Sequence, residues 1–152
     1  MNNTRLNLSG YPSFITTKTL NNHPFFFDSS NAEFLVSSIL FGCRNNWFDL
    51  VAFVVMPDHL HLITISKGKN ISQIMHSIKS FSSKEITKAT LREGSVWQPS
   101  FRDFTLWSEE LVIEKINYIH NNPVRKGLVS DPKDYNYSTA NKRFERDLFL
   151  RF

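Results

Sequence analysis

Apolar positions along the chain fall into segments of two periods. Phe14 to Leu20 is rich in β-branched residues and reads as a first strand, and Asn21-Asn22-His23-Pro24 after it is turn chemistry. Asn31 is a candidate cap for a helix whose apolar positions Phe34, Leu35, Ile39 and Leu40 roughly follow helical spacing until Asn45-Asn46 breaks it. Phe48 to Val55 is a nearly continuous apolar run, the pattern of a central strand. Met56-Pro57-Asp58 interrupts that run, because proline cannot donate to a ladder and Pro-Asp favours a tight turn. His59 to Ile65 resumes as the hairpin partner. Asn70 or Ser72 opens a long helix with Ile71, Ile74, Met75, Ile78 and Phe81 on its buried side, and His76, Lys79, Ser80, Ser83 and Lys84 on the other.

Val96 to Leu106 is extended, interrupted by Pro99. Ser108 starts a last helix with Glu109 and Glu110 at its favourable end; the helix runs through Ile113, Ile116 and Ile119, and Pro123 is expected to stop it near Asn122. After Gly127, Leu128-Val129 packs back before a polar, basic tail over 130–152. Strand, helix, strand, strand, helix, strand, helix is the order of an α+β, ferredoxin-like antiparallel sheet (βαββαβ) with helices on one face, plus an additional C-terminal helix.

Composition narrows the class. The 152 residues fit one domain, 1–152, and 41% hydrophobic content with 14 Phe supports a packed core. No apolar stretch reaches the roughly 18 residues that span a bilayer, and Met1 to Arg5 lacks the apolar core of a signal peptide. The single cysteine, Cys43, excludes an intramolecular disulfide, fits a reducing cytoplasm and reads as a buried thiol after Ile39-Leu40-Phe41. A net charge of +4 is compatible with a nucleic-acid partner but decides nothing alone.

Residues two apart on a strand project from one face, so His59 and His61 present two imidazoles side by side. They are either the start of a divalent metal site or two half-buried histidines. Tyr118 and Asn122, four apart on the last helix, share a face. An Asn oxygen is a hard neutral ligand, and a tyrosine beside it could reach a phosphate bound to the same metal; the alternative is a core tyrosine followed by an Asn cap. His120 points away from Tyr118 and reads as a packing or helix-end residue, His23 as a turn residue and His76 as an exposed one. Trp97 and Phe101 either stack bases or pack in the core, and Asp103 either supports a site or caps backbone.

Met56-Pro-Asp-His-Leu-His-Leu62 and Tyr118-Ile-His-Asn-Asn-Pro-Val-Arg-Lys-Gly-Leu-Val129 resemble the two signature blocks of the single-tyrosine HUH transposases, and within them the REP-associated tyrosine transposases. Trp97-Gln98-Pro99-Ser100-Phe101-Arg102-Asp103 resembles that branch's middle block, and the similarity covers about residues 10 to 140. The resemblance implies His59 and His61 as metal ligands, Asn122 as the third, Tyr118 as nucleophile, and Mg²⁺ or Mn²⁺ as the ion. It implies nicking and strand transfer on single-stranded DNA near a hairpin through a 5′-phosphotyrosine; the alternative is a catalytically inactive or domesticated hairpin-binding module. Arg125, Lys79, Lys84 and Arg102 are the candidate DNA contacts. Pro99 departs from the basic residue common in relatives. Monomer and homodimer, and a tyrosine supplied within the chain or across it, stay open.

Overall fold

The parity of one hairpin decides which side of this protein carries chemistry. In the computed structural model, which describes residues 10–149, the strands are β1 (Ser13–Lys18), β2 (Phe48–Met56), β3 (His59–Ser66) and β4 (Arg102–Thr105), and the helices are α1 (Ser29–Arg44), α2 (Ile71–Thr90) and α3 (Glu109–Arg125). Residues Met1 to Arg5, read above for a leader, lie outside that range. The sheet order is β2-β3-β1-β4 with every pairing antiparallel, as the ferredoxin-like reading expected. No helix among the described residues is long and apolar enough to cross a membrane.

Alternate residues of β3 serve opposite layers. Leu60 and Leu62 join Ile15, Phe53 and Val55 under α1 and α2, whereas Ile63 and Ile65 join Phe14, Val54 and Met56 under α3. The two helices of the ferredoxin-like unit therefore share one face, and the extra helix covers the other. The four apolar side chains of β3 have no exposed surface, and burying each contributes roughly 1.5–3 kcal/mol. In β2 a register shift between Leu50 and Ala52 lets Val51 and Ala52 both face α3 while Leu50 and Phe53 face α1 and α2.

Several local expectations are corrected. Asp28, not Asn31, caps α1, its carboxylate accepting from the N–H of Ser30 and Asn31; the Asn31 amide instead donates to Phe25 O in the interior. Asn70 caps α2 in a reciprocal box with Gln73. Phe81 is exposed, and the buried stripe of α2 passes through Ser82 and Ile86, at i+4 and i+8 from Ile78. Only Arg102 to Thr105 of the extended stretch is laddered, while Trp97 makes a single bridge to Thr19.

Helix α3 does not stop at Asn122 but runs through Pro123 to Arg125. Pro123 is buried in the last turn, where its missing N–H costs one bond near the helix end, and Lys126 N and Leu128 N close on Asn122 O and Pro123 O. The polar stretch 130–152 is, as far as Phe149, a docked strap and not a free tail. Its backbone pairs with the outer edge of β2 at Tyr137, Thr139 and Phe149, and Phe144 is buried in the α1/α2 core. Covering the β2 edge in this way satisfies donors and acceptors that a bare edge strand leaves open.

Candidate active site

β3 starts directly after the Pro57-Asp58 turn, so His59 stands at the mouth of the α3 face and His61 one pleat inward. Their ring centroids are 4.7 Å apart. Each ring is held by its Nδ1. Asp58 Oδ1 is 2.7 Å from His59 Nδ1, and because a carboxylate can only accept, Nδ1–H donates and the Nε2 lone pair is left free. Thr16 Oγ1, on the β1 residue in register with His61, lies 2.8 Å from His61 Nδ1 and serves the same end when Nδ1–H donates to it. Burial first, then the charges of His59, Arg125, Lys115 and Lys18, push His61 down to about 3. It is neutral at physiological pH, so its Nε2 offers a lone pair to a cation without loss of a proton when the ring N–H is on Nδ1.

Helix α3 lies across this face and brings Tyr118 to His61, with ring centroids 5.5 Å apart. Asn122, one turn on, is 3% exposed, whereas the Tyr118 side is 41% exposed and open to solvent. Tyr118, Asn122, His59, His61, Arg125 and Arg102 all line one groove. The two halves of the predicted site thus meet within a single chain. The Arg125 guanidinium packs 4.5 Å from the Tyr118 ring centroid and donates to Tyr118 O at 3.2 Å.

The remaining candidates are elsewhere. Lys79 and Lys84 line a separate groove between α2 and residues 95–101. Lys79 Nζ is committed to Gln98 O at 2.7 Å and Ser100 O at 3.2 Å, and burial lowers its pKa. Trp97 is a core residue whose indole N–H donates to buried Ser82 Oγ, and Phe101 packs, partly buried, against that core. His120 points away from the groove to Thr139, as expected; His23 and His76 are exposed, and Cys43 is half-buried. Asp103 is exposed on β4.

Sequence reasoning missed Thr16, Asp58, Lys18 and Lys115 as members of the site. Lys115 had a signal, standing three residues before Tyr118 on the same helix face. Thr16 had none, since its place beside His61 depends on strand register.

Among the described residues no three His, Cys, Asp or Glu side chains are grouped to hold a metal ion. A divalent ion here would draw on the Nε2 atoms of His59 and His61 and the amide oxygen of Asn122, a neutral nitrogen–oxygen set suited to first-row transition ions and compatible with Mg²⁺.

A family model described as "Transposase IS200 like" matches residues 15–122. The REP-associated tyrosine transposase of Escherichia coli (strain K12) is 31% identical over 108 residues, covering 70% of this chain; the chain spans 62% of that relative's length. Among solved structures, a REP-associated tyrosine transposase bound to a REP hairpin superposes with a TM-score of 0.72 at 27% identity, covering 93% of this chain and 83% of that one. A crystal structure of a transposase candidate from Deinococcus radiodurans R1 gives 0.54 at 26% identity, covering 72% and 88%. With the matched segment running from β1 to Asn122, and so enclosing His59, His61 and Tyr118, the chain belongs to the IS200-like transposase family.

Proposed function

We propose that the protein nicks and rejoins single-stranded DNA beside a hairpin, using Tyr118 as nucleophile and a divalent ion, Mg²⁺ or Mn²⁺, held by His59, His61 and Asn122. The observation that carries this reading is the convergence of an exposed tyrosine with two histidines whose Nδ1 atoms are both engaged, which leaves both Nε2 atoms for a ligand when Nδ1–H is the donor. When bound, the ion supplies positive charge to a non-bridging oxygen of the scissile phosphate and makes phosphorus more electrophilic. Tyr118 Oη forms the new bond to phosphorus as the P–O3′ bond breaks, giving a 5′-phosphotyrosine and a free 3′-hydroxyl. The phenolic proton passes to water and the departing 3′ oxygen takes one up, so the step balances without a co-reactant. Attack by another 3′-hydroxyl reverses it. In this reading Arg125 and Arg102, which line the same groove, hold the strand by its phosphates.

The test is incubation with hairpin-bearing single strands and Mn²⁺, followed by denaturing electrophoresis for a covalent protein–DNA adduct. Wild type should give the adduct and Tyr118→Phe none. An adduct of wild-type yield in Tyr118→Phe refutes the nucleophile assignment. Salt-sensitive DNA binding without an adduct under any divalent ion identifies a hairpin-binding module instead.

A further inference from the structure

Lys115 sits one turn before Tyr118 on α3, half-buried, with its ammonium over three aromatic rings from three elements. Its Nζ lies 5.3 Å from the centroid of Phe14 on β1, 5.6 Å from Phe104 on β4 and 5.5 Å from Tyr118 itself. Among the described residues no carboxylate pairs with it; the ion pairs engage Arg44, His59, Lys67, Lys88 and Arg143. Its neighbours in the groove are further basic residues, Lys18, Arg102, Arg125 and Lys126, against the single carboxylate of Asp58, which His59 already occupies. Lysine stems commonly lie on aromatic surface with the ammonium reaching for bulk water. Here the ammonium stands within 5.6 Å of three ring centroids, and Phe14 and Phe104 also pack on each other at 5.3 Å. Ring faces attract a cation without neutralising it, by about 0.5–1 kcal/mol each at exposed sites and more when desolvated. The result is a lysine side chain set among aromatic rings beside the nucleophile, with no carboxylate paired to it among the described residues.

We propose that Lys115 is a further catalytic residue of the reaction assigned to Tyr118. Its ammonium contacts a non-bridging oxygen of the scissile phosphate and stabilises the negative charge spread over the phosphoryl group as the Tyr118 Oη–P bond forms and the P–O3′ bond breaks. No proton or electron moves through it. Holding the charge in advance is what gives it catalytic weight, since a preorganised cation needs no rearrangement when the transition state forms. Lys115 differs in this from Arg125, whose guanidinium is tied to the backbone of α3 through Tyr118 O. The same contact serves rejoining, because cleavage and strand transfer pass through the same phosphoryl geometry. The proposal rests on the reading of Tyr118 as nucleophile.

The test compares wild type, Lys115→Met and Lys115→Arg in single-turnover adduct formation, with a pool of 3′-labelled, hairpin-bearing single strands at saturating concentration and Mn²⁺. Binding is measured separately in the Tyr118→Phe background across a salt series. Lys115→Met, which keeps the stem over the rings, should lower the saturated rate on the order of 10²-fold. Its binding should lose at most one phosphate contact, a salt-slope change of about 0.7. Lys115→Arg should recover most of the rate. A saturated rate for Lys115→Met equal to wild type overturns the proposal and leaves Lys115 as a phosphate grip. A Lys115→Arg variant as slow as Lys115→Met, with both melting like wild type, also overturns it, because retained charge would then be irrelevant. If wild type itself gives no adduct, the reading of Tyr118 fails and this inference with it.

Discussion

His120 stands on the side of α3 turned away from the groove, where its Nε2 meets Thr139 Oγ1 of the C-terminal strap at 2.8 Å. Burial pushes its pKa from the ordinary 6.5 down to about 4, so the folded protein keeps it neutral where the unfolded chain protonates it. A depressed histidine pKa means that the unfolded state binds more protons between about pH 6.5 and 4, so stability is intact near neutrality and falls as pH falls through that window. Between pH 7 and pH 5 the loss from His120 is about 2 kcal/mol, a large part of the stability of a domain this size. His61, pushed down to about 3 mainly by burial, adds a similar loss over the same interval in metal-free protein. Gln in place of His120 keeps an amide within reach of Thr139 and does not titrate. Urea unfolding of wild type and His120→Gln in EDTA, at pH 7 and pH 5 and fixed ionic strength, isolates the difference, since every other titrating group is common to both. The variant should lose about 2 kcal/mol less than wild type on acidification. Equal losses in the two proteins would refute the assignment of a buried neutral imidazole at this position.

Two further outcomes follow from individual contacts. Thr16→Val removes the partner of His61 Nδ1 and should weaken Mn²⁺ binding by about 10- to 100-fold, read by calorimetry; unchanged affinity would mean that the Thr16 contact does not aim the ring. Gly42→Ala places a Cβ 2.6 Å from Phe48 Cε1, a core ring that cannot withdraw. The helix-propensity gain of about 1 kcal/mol is then outweighed by overpacking of about 1–3 kcal/mol, and the urea midpoint should fall; a rise would show that the α1–β2 contact is loose.

The sequence by itself determined the elements and the parity of the chemistry. Period-two spacing put His59 and His61 on one face with Leu60 and Leu62 on the other, and i,i+4 spacing put Tyr118 and Asn122 on one side of a helix, because these relations are local and set by backbone geometry. The same local reasoning missed where a competing contact won: Asp28 outbid Asn31 as the cap, and the buried packing of Ile119, Asn122 and Pro123 carried α3 past the residue where proline was expected to stop it. Only the tertiary structure decided that α3 crosses the histidine face while α1 and α2 take the other, and that Tyr118 meets His61 within one chain. It also decided the anchors of the site. Thr16 reaches His61 through strand register, and Phe14, Phe104 and Tyr118 close around Lys115 from β1, β4 and α3. Thr16 and His61 stand 45 positions apart, and Phe14 and Phe104 reach Lys115 from other elements, so no periodicity in the chain encodes those contacts; only the Lys115–Tyr118 pair follows helical spacing.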